Sequence, residues 1–223
     1  MRDTVIVFAR APRLGAVKRR LAREIGDRAA LRFHAATLTC LLRALAAERR
    51  FRTILALTPD RARFRLPRGV GRIDQGHGDL GQRMARALAR FARGHAAIIG
   101  CDIPAAGPAD LLAAFRALGR SDAAFGPAAD GGYWLVALGP RRPAHPFARV
   151  RWSGPHALED TLANFAGRRV ARLRVLRDVD RAADLPVSLC SPARYPAPVR
   201  CASASRSRSD RPPMPPPRAP SPA

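Results

Sequence analysis

The chain has a single lysine. All its other positive residues are arginine, so Lys18 stands alone among 223 residues that carry a net charge of +23. Aromatic residues are scarce as well, at 6%. No aromatic RNA-binding signature and no zinc-finger spacing accompanies the charge, and the arginines are spread through every segment. Diffuse basic charge gives only salt-sensitive, non-specific affinity, so sequence-specific nucleic-acid recognition is not expected. The four cysteines, Cys40, Cys101, Cys190 and Cys201, form no CxxC pair. Their spacing suits neither a disulfide framework nor a zinc site. Cys40 lies in an apolar helical stretch and is expected in the core. No apolar run approaches the roughly 20 residues that span a bilayer. The apolar run Thr4 to Ala9 is too short for a secretion signal, and a cytoplasmic protein is expected. GxSxG, HExxH and Walker lysine motifs are absent, and His34, His77, His95, His145 and His156 are scattered, which places them at the surface or in loops.

What is present begins with Asp3 to Leu21. Thr4 to Ala9 reads as a buried strand, broken by Pro12 and Gly15, running through a loop into a helix near Lys18. Arg10, Arg13, Lys18, Arg19 and Arg20 crowd this turn. Cations and free backbone N–H groups between a strand and a helix make an anion site, usually for phosphate. A chain that uses arginine for generic charge and keeps one lysine here points to a need for a compact ammonium on a flexible stem.

The remaining pattern alternates. Helices are expected over Lys18 to Glu24, Arg28 to Glu48, Asp79 to Phe91, Pro108 to Leu118 and Pro155 to Phe165. Strands are expected over Thr53 to Thr58, Val70 to Ile73, Ala96 to Gly100, Ala123 to Phe125, Tyr133 to Leu138 and Val170 to Val175. Alternation of this kind implies an α/β domain, with a mainly parallel sheet and helices on both faces. The domain is expected over residues 1–185. Pro186 to Ala223 holds 11 of the 21 prolines and lacks periodicity, which reads as a disordered tail.

In such sheets ligands bind beyond the carboxyl ends of the strands. Asp102 stands there in Ile-Gly-Cys-Asp-Ile-Pro. Asp130 stands in Ala-Asp-Gly-Gly-Tyr-Trp, and Asp178 and Asp180 follow the last strand. Carboxylates converging from separate strands suit a hard divalent cation, Mg2+ or Mn2+, as cofactor. Asp102, helped by Asp130 or Asp180, is the expected metal set. Gly76, Gly78 and Gly81 match a GxGxxG fingerprint, which opens a nicotinamide-dehydrogenase alternative. The preceding strand is short and polar-flanked, however, and the better reading is a loop entering a helix with Asp79 as N-cap. Arg83, one turn in, then faces a phosphate.

Six stretches together resemble a known family: FARAPRLGAVKRRLA, QGHGDLGQRM, IGCDIP, GPAADGGYWLVALG, RWS and DVDRAADL. They are similar to the motifs of the bacterial selenodomain-associated transferases, also described as arsenosugar-type glycosyltransferases. The family lies within the GT-A, nucleotide-diphospho-sugar transferase superfamily. The resemblance runs from Thr4 to about Leu185 and implies a three-layer GT-A-like fold. It places Lys18 and Arg20 at the nucleotide loop, Asp102 at the superfamily's metal-binding position, and Asp130 and Gly131 in the acceptor-side loop. On this reading Lys18, Asp102 and Asp130 carry catalysis. Arg10, Gly15, Lys18, Arg20, Gln75, Gly78 and Arg83 contact the nucleotide, and Gly131, Gly132, Tyr133 and Trp152 shape the acceptor pocket. The expected partners are a nucleotide sugar or nucleoside triphosphate and a small-molecule acceptor. The expected activity is a metal-dependent glycosyl transfer, with nucleotidyl transfer, a dehydrogenase and a non-catalytic nucleotide or nucleic-acid binder as alternatives. Two departures stand out: Arg19 and Arg181 occupy positions where the family usually has threonine.

Overall fold

The computed structural model describes residues 2–185. The expected tail, with Cys190 and Cys201, lies outside them. Seven strands form one sheet: β1 (Asp3–Arg10), β2 (Phe51–Thr58), β3 (Val70–Asp74), β4 (Ala96–Gly100), β5 (Ala123–Pro127), β6 (Tyr133–Leu138) and β7 (Val170–Arg172), in the order β3-β2-β1-β4-β6-β5-β7. β3, β2, β1 and β4 run parallel, β6 is antiparallel to both its neighbours, and β7 is parallel to β5. The strand-to-helix alternation read from the sequence therefore yields the mainly parallel α/β sheet expected of it.

Alternation along the strands builds the layers. On β1, Val5, Val7 and Ala9 face one core while Ile6 faces another. The first core receives α2 (Asp27–Ala47) through Leu38, Leu41, Leu42 and Leu45, and α4 (Pro108–Leu118) through Leu111, Ala114, Phe115 and Leu118. The second receives α3 (Leu80–Ala89) through Met84, Ala87 and Leu88, and α5 (Ala157–Ala163) through Leu158. Strand side chains alternate between faces with a period of two, so one strand sequence serves both layers. Full burial of each Leu or Ile stabilises by about 1.5–3 kcal/mol before the entropy of ordering is set against it. α1 (Arg19–Ile25) packs aside, with Leu21 against Phe33 and Val179.

Topology then positions the site. The carboxyl ends of β1, β2, β3 and β4 share one edge. β6 runs the other way, with Leu135 opposite Ile99, so its first residue Tyr133 reaches that same edge. The β5–β6 turn and the chain beyond β7 arrive there too.

Three expectations are corrected. Cys40 is exposed, because the buried stripe of α2 runs through positions 30, 33, 34, 37, 38, 41, 42 and 45 and leaves 40 on the outer side. His34 is on that stripe and is buried rather than at the surface. It sits four residues before Leu38, a core-facing register that a histidine can occupy only if its nitrogens find partners. The last strand also stops at Arg172 rather than Val175. Leu176 makes an isolated bridge to Ala128, and irregular chain delivers Asp178 and Asp180. No helix among the described residues is long and apolar enough to cross a membrane.

Candidate functional site

A cleft of about 560 Å3 opens at the carboxyl edge of the sheet. Of the residues singled out from the sequence, Arg10, Lys18, Gln75, Arg83 and Asp102 line it from the β1–β4 side. Asp130, Gly132, Tyr133 and Trp152 line it from the other side, and Asp180 sits beside Lys18. Arg20 stands at an adjoining recess with Asp130 and Asp180. Gly15, Gly78 and Gly131 do not face the cleft; they shape the turns that border it, each with positive φ.

Lys18 is the centre. Its Nζ lies 3.0 Å from Asp102 Oδ2 and 3.2 Å from Asp180 Oδ1. The side chain is 4% exposed, against 44% for Asp102 and 37% for Asp180. Arg20 Nη1 reaches the second Asp180 oxygen at 3.1 Å. Lys18 caps the start of α1 with φ 47° and ψ 48°, in the left-handed region. That backbone costs a non-glycine residue about 1–2 kcal/mol, and the two ion pairs offset it. The partners are brought together by main chain: Val179 N–H donates to the Asp102 carbonyl at 3.2 Å, which seats Asp180 beside Asp102.

Ionisation follows from this packing. Burial works against the Lys18 ammonium, but the charges and hydrogen bonds of Asp102 and Asp180 outweigh it and its pKa rises. Burial likewise opposes ionisation of Asp102, and Lys18 outweighs it, so the carboxyl titrates below its usual range. Asp178 goes the other way. Burial raises its pKa first, then the negative charges of Asp180 and Asp130.

The remaining walls are built differently. Gln75 is 3% exposed, and its Nε2 donates to the Ala9 and Ala56 carbonyls at 3.1 and 2.9 Å. Arg83 Nη1 donates to Gln75 Oε1 at 3.0 Å. The glycine-rich stretch ahead of α3 is a loop leading into a capping box, with Asp79 accepting from Gln82 N–H at 2.8 Å, as the N-cap reading expects. On the far wall Asp130 Oδ1 accepts from Gly132 N–H at 2.9 Å. Gly131, at φ 86°, lies so close to the Pro155 carbonyl that no Cβ fits. Tyr133 and Trp152 meet edge to face at 6.4 Å. Burial holds the Tyr133 phenol well above its usual pKa despite a contact with Thr161, so it stays protonated.

A divalent cation is implied by the superfamily, and the residues present fit one in kind. Asp102, Asp130, Asp178 and Asp180 all line this cleft in a strongly basic chain. Asp102, Asp130 and Asp180 do not gather within 4.8 Å as one three-carboxylate group among the described residues. Two polar or metal-ligating side chains of the lining, His34 and Cys101, are among those that sequence did not pick out as site residues. The core-facing register of His34 was the signal available. Cys101 carried none beyond being adjacent to Asp102.

The fold and cleft define a class. A presumptive nucleotide-diphospho-sugar transferase from Desulfovibrio desulfuricans G20 superposes with a TM-score of 0.74 at 26% identity, covering 81% of this chain and 84% of that one. The fold is thus that of the nucleotide-diphospho-sugar transferase superfamily. Rv0371c from Mycobacterium tuberculosis H37Rv shares it at TM-score 0.51, 21% identity and coverage of 81% and 94%. So does 4-diphosphocytidyl-2C-methyl-D-erythritol synthase from Anaerococcus prevotii, at 0.52, 9%, and 82% and 94%. Residues 41–154 match the DUF2064 family, described as an uncharacterized protein conserved in bacteria, and the chain belongs to that family. No curated protein matches it.

Proposed function

We propose that the protein is a transferase acting on a nucleotide-activated donor, with a sugar nucleotide as the first choice. One observation carries this reading: the only lysine of the chain is buried between carboxylates from just beyond β4 and from beyond β7, at the edge where such sheets bind ligands. The coarse class is supported by the superfamily fold. The narrower selenodomain-associated, arsenosugar-type assignment rests on the motifs alone and belongs to this proposal, as do a cytoplasmic location and a single folded domain over residues 1–185.

In this mechanism Lys18, with Arg20 and Arg83, neutralises phosphate charge, and Lys18 also keeps Asp102 ionised at neutral pH. Gln75 holds Arg83 in place through its carboxamide. Asp102, joined by Asp180 or Asp130, would hold a Mg2+ or Mn2+ ion, which supplies charge stabilisation for the departing diphosphate. Asp130 fixes the turn at Gly131 and Gly132, and Tyr133 and Trp152 present ring surface to the acceptor. Catalysis is then mostly positioning and electrostatics, since charge develops on the leaving oxygen. Arg19 opens α1 directly after Lys18, where the resembled family has threonine, and Arg181 ion-pairs with Glu24 at 3.9 Å.

Nucleotidyl transfer with release of pyrophosphate is the second reading, because cations and acids in one cleft suit a triphosphate equally well. Thermal-shift measurements with UDP-, GDP- and CDP-sugars, nucleoside triphosphates and NADH, with and without Mn2+, separate the cases. Metal-dependent stabilisation by a sugar nucleotide is the expected result. Pyrophosphate release from a triphosphate selects the second reading, and stabilisation by NADH alone overturns both.

A further inference from the structure

The cleft also carries side chains that the proposed transfer does not use. We infer that His34, Cys101 and Asp102 form a binding site for a thiophilic transition metal of the Zn2+ class. One ring nitrogen of His34, the Cys101 Sγ and one Asp102 carboxylate oxygen lie within 4.8 Å of one another. They come from α2 and from the turn directly after β4, a juxtaposition that sequence spacing cannot reveal. All three line the cleft, so an ion reaches them from solvent.

The chemistry of the set is specific. His34 Nε2 lies 2.9 Å from the Arg10 carbonyl, to which it can only donate. In the neutral ring that leaves Nδ1 with a free lone pair. A backbone carbonyl gripping one imidazole nitrogen is the outer-shell arrangement that orients metal-binding histidines. Cys101 donates its S–H to Asp102 Oδ1 at 3.2 Å. On metal binding the S–H bond breaks, its proton leaves by way of Asp102 to solvent, and the thiolate sulfur bonds the ion. Tetrahedral ligands stand about 3.5 Å apart, so the three groups draw slightly closer when an ion binds. Three protein ligands leave a fourth position open to the cleft. Thiolate and imidazole favour Zn2+ or Co2+ over Mg2+. His34 and Cys101 are 4% and 5% exposed, which excludes most competing water. The site differs in kind from one holding the hard cation that accompanies a nucleotide, although both draw on Asp102.

The test uses Co2+ as the probe, added to the full-length, nucleotide-free protein. The expected result is a near-ultraviolet thiolate-to-cobalt band that saturates at one equivalent and survives excess Mg2+. Replacing Cys40, Cys190 and Cys201 together by serine leaves the band intact. Cys101→Ser removes it, and His34→Gln weakens Co2+ binding by at least the roughly tenfold that loss of an outer-shell partner costs. Cobalt-edge X-ray absorption of the wild-type complex, reading one sulfur neighbour, requires no variant to fold. Absence of the band from the wild type, or its persistence in folded Cys101→Ser, overturns the inference. No nucleotide enters the experiment, so its failure and that of the transferase reading are separable.

Discussion

The two walls of the cleft are made by different means. On the β1–β4 side the polar side chains are held by one another and by main chain. Lys18 is locked between two carboxylates, Gln75 bonds two strand carbonyls, and Arg83 leans on Gln75. On the β5–β6 side a tight glycine turn carries an exposed aspartate, and Tyr133 meets Trp152 from the chain before α5. The first wall is preorganised for charge, where a displacement of an ångström is costly. The second offers apolar surface and backbone shape, which suits a ligand that varies more than a diphosphate does.

That contrast can be broken at Lys18. Lys18→Ala leaves Asp102 and Asp180 facing each other with only Arg20 paired to Asp180. Transfer is expected to fall by about 10²–10³-fold, the scale for losing one preorganised charge donor, and donor affinity to fall with it. Lys18→Arg is expected to fail as well, since a planar fork replaces a point charge in a buried slot. Steady-state kinetics with separate donor and acceptor titrations reads both. Wild-type rates in either variant would assign the lysine to structure alone.

Gly131→Ala strikes the second wall through the backbone. The new methyl collides with the Pro155 carbonyl, and left-handed φ adds about 1–2 kcal/mol. At roughly 2–4 °C per kcal/mol in a domain of this size, calorimetry should show the melting temperature lowered by several degrees. Trp152→Ala is expected to raise acceptor KM by about tenfold with the donor constant unchanged, consistent with an aromatic contact worth ~1.4 kcal/mol. An equal change in both constants would erase the distinction between the walls.

Two smaller effects sharpen the first wall. Arg20 is 71% exposed, so Arg20→Ala should change donor affinity by less than about fivefold, as for surface ion pairs. The pH dependence of stability has a definite sign. The Asp102 carboxyl is depressed in the folded protein, so its contribution is present above the ordinary value of 3.8 and is lost as pH falls through the folded value. Lys18 is raised, so its contribution is complete below 10.5 and is lost as pH rises through the folded value. Chemical denaturation between pH 5 and pH 3 should therefore show a shallower loss of stability for Asp102→Asn than for the wild type, about 4 being the ordinary carboxylate pKa. Parallel curves would refute the assignment.

Much of this was readable in order along the chain. β4, α4 and β6 begin and end where apolar runs and Pro108 place them, and Asp79 caps α3 as the reading of a loop entering a helix expected. The exposure of Cys40 and the burial of His34 were not readable from local apolarity, because α2 turns one stripe inward and the helix phase, not residue type, decides which side chains it takes. Asp180 was expected at the end of a strand. It reaches the site on irregular chain instead, held by a hydrogen bond from Val179 to Asp102.

By itself the amino-acid sequence determined the alternation of strands and helices, the strand-end acids, and the uniqueness of Lys18. These are local properties: periodicity, turn chemistry and composition act within a few residues. Only the tertiary structure decided that Lys18 meets Asp102 and an aspartate 162 residues away, and that His34 comes beside Cys101. Such meetings depend on strand order and on the reversal of β6, which bring distant chain ends to one edge of the sheet and which no local pattern encodes.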